Sequence, residues 1–191
     1  MNSHESFSHG LIASKLWLCQ ELESLLDNRA IRNPIVHILA GWDNMLGFMM
    51  LTRRPTTYGV VHSYDIDPIA IENADSKCDH WKYEYPKVYN HLKDINTLDF
   101  SSSGSESIFI NCSVDQMDCN EWYDRIPVGS LVCLQTTDMP TDTTEWHVKQ
   151  SYKLISDFTN AFKVGELLYA GTKDISYSHL QYKRHMMIGI K

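Results

Sequence analysis

Short apolar runs alternate with stretches of helical period along most of this chain, and its last two runs follow each other with no helical stretch between them. Residues 11–27, "LIASKLWLCQELESLLD", place Leu11, Leu18, Leu22, Leu25 and Leu26 on one stripe, with Lys15, Glu21 and Asp27 on the polar face. "IVHILAG", "VVHSYDID", "KVYNHLKDI", "SIFINCS" and "SLVCLQTT" then read as five strands, the first and the last two as buried ones and the third as the weakest. "NMLGFMML", "PIAIENADSKCDHW" and "SYKLISDFTNAF" are predicted as helices, the last with apolar residues at three- and four-residue steps, and "MDCNEWYDRI" as a short helix with Asp118 as its candidate cap. "VGELLYAG" and "YKRHMMIGI" close the chain about ten residues apart, which suits a hairpin and not a crossover helix. Alternation of this kind predicts an α/β fold: a doubly wound, mostly parallel seven-stranded sheet with helices on both faces and a C-terminal antiparallel hairpin. Residues 1–191 are read as a single domain, with 1–30 an N-terminal extension and helix.

The net charge of −7 speaks against non-specific nucleic-acid binding, which rests on many Lys and Arg. Arg29, Arg32, Arg53 and Arg54 form the one arginine-rich neighbourhood and read as solvated loop residues. No apolar run approaches the ~20 residues of a membrane helix, so no membrane partner is expected. "MNSHESFSHG" lacks the basic start and apolar centre of a signal peptide. The five cysteines, Cys19, Cys78, Cys112, Cys119 and Cys133, are odd in number and show no CxxC spacing. Disulfides are not expected, and a reducing cytoplasm fits. A zinc site from Cys78, His80 and Cys112 would lack the tight ligand pairs of closed sites, so no metal is expected.

The stretch "YDIDP" sets two carboxylates between a strand and a helix. Asp67, just before Pro68, suits a helix N-cap. Asp65 lies 24 positions after Gly41, near the ~20 expected of an acidic residue that grips the hydroxyls of a ribose. A plain cap or loop aspartate is the alternative for Asp65.

Five β/α units ending in an antiparallel hairpin resemble the class I S-adenosylmethionine-dependent methyltransferases, over about Ile35 to Lys191. "IVHILAGWDNMLG", "VVHSYDIDPIAIENA", "HLKDINTLDF" and "SIFINCSVDQM" sit where that family has its glycine-rich loop, ribose carboxylate, adenine loop and substrate-facing strand end. The resemblance implies a strand order of 3-2-1-4-5-7-6 and S-adenosyl-L-methionine as cofactor. By the same likeness the cofactor would be held by Gly41, Trp42, Asp43, Asp65, Ile66, Asp94, Ile95 and Asn111. His37 stands at the family's acidic position, and Leu39, Gly41 and Asp43 at its three glycines, so only one glycine survives. Gly47 lies further on, inside the next helix, where it is expected to ease packing on the sheet. The compact size, "INCSVDQM" and "RIPVGSLVCLQTTD" also look like small methyltransferase-like proteins of bacteriophages, which would place the chain in a host cytoplasm.

Methyl transfer from a sulfonium asks the protein mainly to position the acceptor. Asn111 offers a donor and an acceptor for an amine or hydroxyl, Asp115 a base or a substrate anchor, and His147 an imidazole that titrates near neutrality. Ser113 could assist, whereas Cys112 reads as a small buried hydrophobe. Trp42 and Trp146 are candidates for stacking on a ligand, and "SHESFSHG" for folding over it. The leading reading is a methyltransferase acting on a small molecule. The alternative is a non-catalytic protein that keeps the fold and binds the cofactor or a partner protein. A nicotinamide-dependent oxidoreductase ranks last, because "AGWDNMLG" lacks the G-x-G-x-x-G fingerprint.

Overall fold

The computed structural model describes residues 8–81, 87–104, 106–141, 147–176 and 180–191. Seven strands, β1 (Ile35–Leu39), β2 (Val60–Asp65), β3 (Val88–Leu92), β4 (Ile108–Asn111), β5 (Leu131–Thr137), β6 (Glu166–Ser176) and β7 (Gln181–Ile190), form one sheet in the order β3-β2-β1-β4-β5-β7-β6. Strands β1 to β5 pair in parallel, and β7 runs antiparallel between β5 and β6. The predicted architecture and the strand order are both met. The order places β1 beside β4, the point where successive connections leave in opposite directions and where open α/β sheets bind ligands.

Among the described residues five α-helices accompany the sheet: α1 (His9–Asn28) ahead of β1, and α2 (Met45–Arg53), α3 (Pro68–Trp81), α4 (Glu121–Asp124) and α5 (Ile155–Ala161) between strands. On one face Leu18, Leu22 and Leu26 of α1 join Leu46 and Met50 of α2 over Val36, Ile38, Val61, Ile108 and Ile110. On the other, Trp122, Phe158 and Phe162 pack with Phe109, Val132, Leu134 and Met187. At about 1.5–3 kcal/mol per fully buried leucine, the three α1 leucines contribute at most about 5–9 kcal/mol, so α1 is part of the core rather than an appendage. Buried polar bonds fix its register: Ser14 Oγ donates to Gln135 Oε1 at 2.9 Å, and Gln135 Nε2 donates to the Ser14 carbonyl at 3.1 Å.

The helix starts are chemically specific. Asp67 Oδ1 accepts from the Ile69 amide at 2.9 Å, which caps α3 ahead of Pro68. Asn44 Oδ1 accepts from the Gly47 amide at 3.2 Å and caps α2. A Cβ at Gly47 would lie 2.3 Å from that oxygen. Gly47 therefore makes room for the cap, a different role from the sheet packing expected of it.

Three further expectations are corrected. "MDCNEWYDRI" holds only the single turn of α4, because Trp122 and Tyr123 turn inward as soon as the chain re-enters the core and Pro127 follows close behind. Its expected cap, Asp118, instead meets Lys149 at 2.6 Å. In "SYKLISDFTNAF" only Ile155–Ala161 is helical. Tyr152 is held extended, its amide donating to the Thr137 carbonyl at 3.1 Å and its own carbonyl bonded to His185 Nε2 at 3.0 Å. The arginine neighbourhood is not simply solvated. Arg53 makes a two-pronged contact to the buried Glu23 of α1 at 2.9 and 2.8 Å, and Arg54 reaches Glu23 at 3.3 Å and Asp27 at 2.6 Å. These contacts fasten α1 to the end of α2.

Between β3 and β4 the described residues form only a 3-10 turn, Ile95–Thr97, and loop. On the sheet beside that loop lie the rings of His91, His62, Tyr64 and His37, which stack or tilt against one another across β3, β2 and β1. His37, 6% exposed, stacks on Phe109 with centroids 4.6 Å apart and is hydrogen-bonded to the Tyr64 hydroxyl at 3.1 Å. Burial is the main force that pushes its pKa down to about 4, and His62 and His91 add to it. The residue at the family's acidic position thus belongs to the core layer.

Candidate functional site

A cleft of about 500 Å³ opens at the carboxyl ends of β1 to β5. Gly41, Trp42, Asp65, Ile66, Asp94, Ile95, Asp115 and His147 all line it. Ten expected site positions thus yield eight in one place; Asp43 and Asn111 are the two that do not reach the wall.

The first loop, Ala40–Asn44, follows β1 with an unusual backbone. Ala40, Trp42 and Asn44 all adopt left-handed conformations, with φ of 51°, 52° and 55°. The expected glycine positions, Leu39, Gly41 and Asp43, alternate with these and are off by one residue. Gly41 serves closeness, since a Cβ there would lie 2.1 Å from Ser63 Oγ on β2. Non-glycine residues in this region each cost about 1–3 kcal/mol and persist where the surroundings over-determine them, commonly at functional sites. Here the surroundings include the Asn44 cap and a bond from the Trp42 amide to Asp65 Oδ2 at 2.7 Å.

Asp65 ends β2 and faces the cleft. Its second oxygen, Oδ1, accepts from the Asp67 amide at 3.0 Å. Each carboxylate oxygen therefore has one backbone donor and at least one lone pair to spare. The two aspartates of "YDIDP" divide the work: Asp67 caps the helix, and Asp65 ties two loops together at the cleft edge. Next to it Ile66 is 68% exposed, an apolar surface at the cleft mouth. Across the mouth Asp94 accepts from the Asn96 amide at 2.9 Å, and Ile95 is buried beneath.

Asp43 turns away from the cleft into an ion pair with Lys77 of α3. Asn111 is fully buried, its Oδ1 accepting from the Ser113 amide at 2.8 Å, so it shapes the turn after β4. Asn111 ends β4 and Asp43 sits in the loop between β1 and α2, and in each case a polar bond within the protein claims the side chain. Asp115 is 5% exposed and bonded to Arg184 Nη1 at 3.1 Å. Burial raises its pKa, against the pull of Arg184. Cys112 lines the cleft, but burial raises its thiol pKa, which favours the neutral form. His147 stands exposed at the rim with φ of 52°. Trp146 lies outside the described residues, as do the first seven residues of the chain. Among the described residues no three His, Cys, Asp or Glu are grouped to hold a metal, and no helix is long and apolar enough to cross a membrane. The side chain of His80 lies outside them.

The sequence reading missed Lys15, Met139, Tyr182 and Arg184, which complete the inner wall. Lys15 was placed on the polar face of α1; that face instead turns partly into the cleft. Arg184 had a readable signal, because a charged residue in a strand inside the sheet needs a reason to be buried.

No protein-family model matches the sequence, and no curated protein sequence matches it. Solved structures are similar in fold. The magnesium protoporphyrin IX methyltransferase of Synechocystis PCC 6803, solved with bound S-adenosylhomocysteine, aligns with a TM-score of 0.65 at 10% identity over 94% of this chain and 84% of that one. The geranyl diphosphate C-methyltransferase of Streptomyces coelicolor A3(2) aligns at 0.61 and 10% identity, over 88% and 76%. The YcgJ protein of Bacillus subtilis aligns at 0.62 and 11% identity, over 90% and 98%. At these identities the likeness is one of fold, the Rossmann-like methyltransferase fold with its closing antiparallel hairpin.

Proposed function

We propose that the cleft binds S-adenosylmethionine and directs its methyl group to a small-molecule acceptor. The observation that carries this reading is Asp65: a carboxylate at the end of β2, held by two backbone amides, facing a cleft beside the β1–β4 switch. The residues present fit the cofactor. Asp65 would accept from the two ribose hydroxyls, Ile66 and Ile95 would pack on the adenine, and Asp94 would accept from its amino group. The Ala40–Trp42 backbone would border the amino-acid portion. Two of the similar folds are named as methyltransferases, and both were solved with S-adenosylhomocysteine.

S-adenosylmethionine brings a methyl group already activated on a sulfonium, so the chain's own work is positioning. The ends of β4, β5 and β7, with Met117, Thr137, Met139 and Tyr182, would hold the acceptor. His147 at the rim would take the acceptor's proton, imidazole being the side chain most often used for that task. A pocket of this size and a net charge of −7 both favour a small molecule over a nucleic acid.

A second reading has its own support. Asn111 is out of the cleft and Asp115 is tied to Arg184, so two of the three expected catalytic side chains are committed elsewhere. The chain would then bind the cofactor without transferring methyl. Calorimetric titration with S-adenosylmethionine and S-adenosylhomocysteine, followed by incubation of labelled cofactor with a metabolite extract, tests both. Saturable binding with label transfer supports the enzyme, and binding without transfer supports the binder. No binding of either compound refutes both.

A further inference from the structure

We propose that the acceptor is an apolar acid, and that its anionic group is taken at the inner wall of the cleft by Lys15, with Arg184 beside it. This rests on the methyltransferase reading and names the substrate class of the same site. Lys15 comes from α1 and lines the cleft, half-buried. Its ammonium has no hydrogen-bond or ion-pair partner among the described residues, whereas Lys77, Lys149 and Arg53 all have one. Arg184, 7% exposed, lines the same wall from β7. A guanidinium has five donors. Those of Arg184 meet Asp115 Oδ1 and the Cys112 carbonyl, and its Nε has no partner among the described residues.

Charge makes the case sharper. At the inner wall two cations face one carboxylate, Asp115, which already serves Arg184. The other nearby carboxylate, Asp43, is engaged by Lys77. Burial and the repulsion of Arg184 both disfavour the Lys15 ammonium as the site stands. A ligand anion at this place would reverse that. The cleft that Lys15 lines also carries the apolar side chains of Leu11, Ile38, Leu46 and Met139, so the anion would be carried on an apolar body. The chemistry required is a carboxylate or a comparable monoanion. The cofactor's own amino-acid carboxylate could supply it too, and the test separates the two sources.

The full chain, saturated with S-adenosylhomocysteine, is titrated with benzoate and octanoate, and with benzamide as the neutral counterpart of benzoate. At least one acid is expected to bind roughly tenfold or more tightly than benzamide. Lys15→Met should abolish that preference, Lys15→Arg should largely restore it, and neither should move the affinity for S-adenosylhomocysteine by more than about threefold. Two results overturn the proposal. One is equal binding of acid and amide, or no saturation by either acid. The other is a loss of S-adenosylhomocysteine affinity in Lys15→Met with none for 5′-methylthioadenosine, which assigns Lys15 to the cofactor's carboxylate. If S-adenosylhomocysteine itself does not bind, the methyltransferase reading fails, and the same titrations on the free chain judge Lys15 alone.

Discussion

At Asp65 and Asp67 two carboxylates one residue apart do different jobs, and substitutions should separate them. Asp65→Ala removes the proposed ribose acceptor, which should weaken S-adenosylhomocysteine binding by roughly ten- to a hundredfold, from about 1.5–3 kcal/mol for a charge-assisted bond. It also frees the Trp42 and Asp67 amides, so a stability loss of about 1–2 kcal/mol should accompany it. Asp67→Ala should cost about 0.5–2 kcal/mol of stability through the lost cap and change binding little. Calorimetry and urea unfolding on both variants check this; unchanged binding in Asp65→Ala, in a chain that binds the cofactor, rejects the ribose role. The Asp67 cap and the cleft-facing place of Asp65 were legible because a cap and a strand-end carboxylate have local sequence logic. The loop before them was not, since its left-handed residues are Ala40, Trp42 and Asn44, and nothing local marks them. Their strain makes a second prediction. Ala40→Gly removes about 1–2 kcal/mol of left-handed cost and adds about 0.4–1 kcal/mol of unfolded-chain entropy. A net gain of about 0.5–1 kcal/mol in urea unfolding is expected, and a loss would mean the loop is not strained at Ala40.

Among the elements, the strands were readable and the later helices were not. A strand in this sheet announces itself by an apolar run, and β4 and β5 are buried at every position. Helices α4 and α5 shrank because tertiary bonds took over their predicted ends, as at Tyr152. The ring layer on β1, β2 and β3 was invisible to periodicity, because histidine and tyrosine read as polar residues that end up stacked. It should give the protein an acid sensitivity. The folded pKa of His37 lies near 4 against the usual 6.5, and those of His62 and His91 are also lowered, first by burial. Between those values the unfolded chain binds more protons, so stability falls as pH drops from 6.5 toward 4 and is fully present above 6.5. The His37 contribution is at most about 3 kcal/mol over that window. Lys93 opposes and Asp75 favours the charge on His91, and neither changes the direction of its shift. His37→Phe keeps a ring against Phe109 and should flatten the pH slope of urea unfolding; an unaltered slope would place the acid sensitivity elsewhere.

For the molecule as a whole, the cleft is closed by segments from opposite ends of the chain. Leu11 and Lys15 come from α1, and Tyr182 and Arg184 from β7. The fold class was readable from the order of elements, but this enclosure was not, because it depends on contacts such as Ser14 with Gln135, 121 positions apart. Glu23 carries much of the attachment of α1 to α2 through Arg53 and Arg54. S-adenosylhomocysteine at the loop after β1 and an acid such as octanoate at the Lys15 wall, bound together, should therefore protect both ends of the chain at once. At a hundredfold excess over its Kd, S-adenosylhomocysteine should add about 2.7 kcal/mol of stability. For a chain of this length that is a rise in Tm of roughly 5–11 °C. With both bound, hydrogen exchange should slow in the loop after β1 and also in the first half of α1. Glu23→Ala leaves two arginines without their shared carboxylate, so it should lower stability by about 1.5–3 kcal/mol. It should also raise exchange along α1 and shrink the protection there more than in the loop after β1. Equal protection of α1 in both proteins would show that the leucine stripe alone holds this wall, and that the Glu23 clamp contributes stability without shaping the cleft.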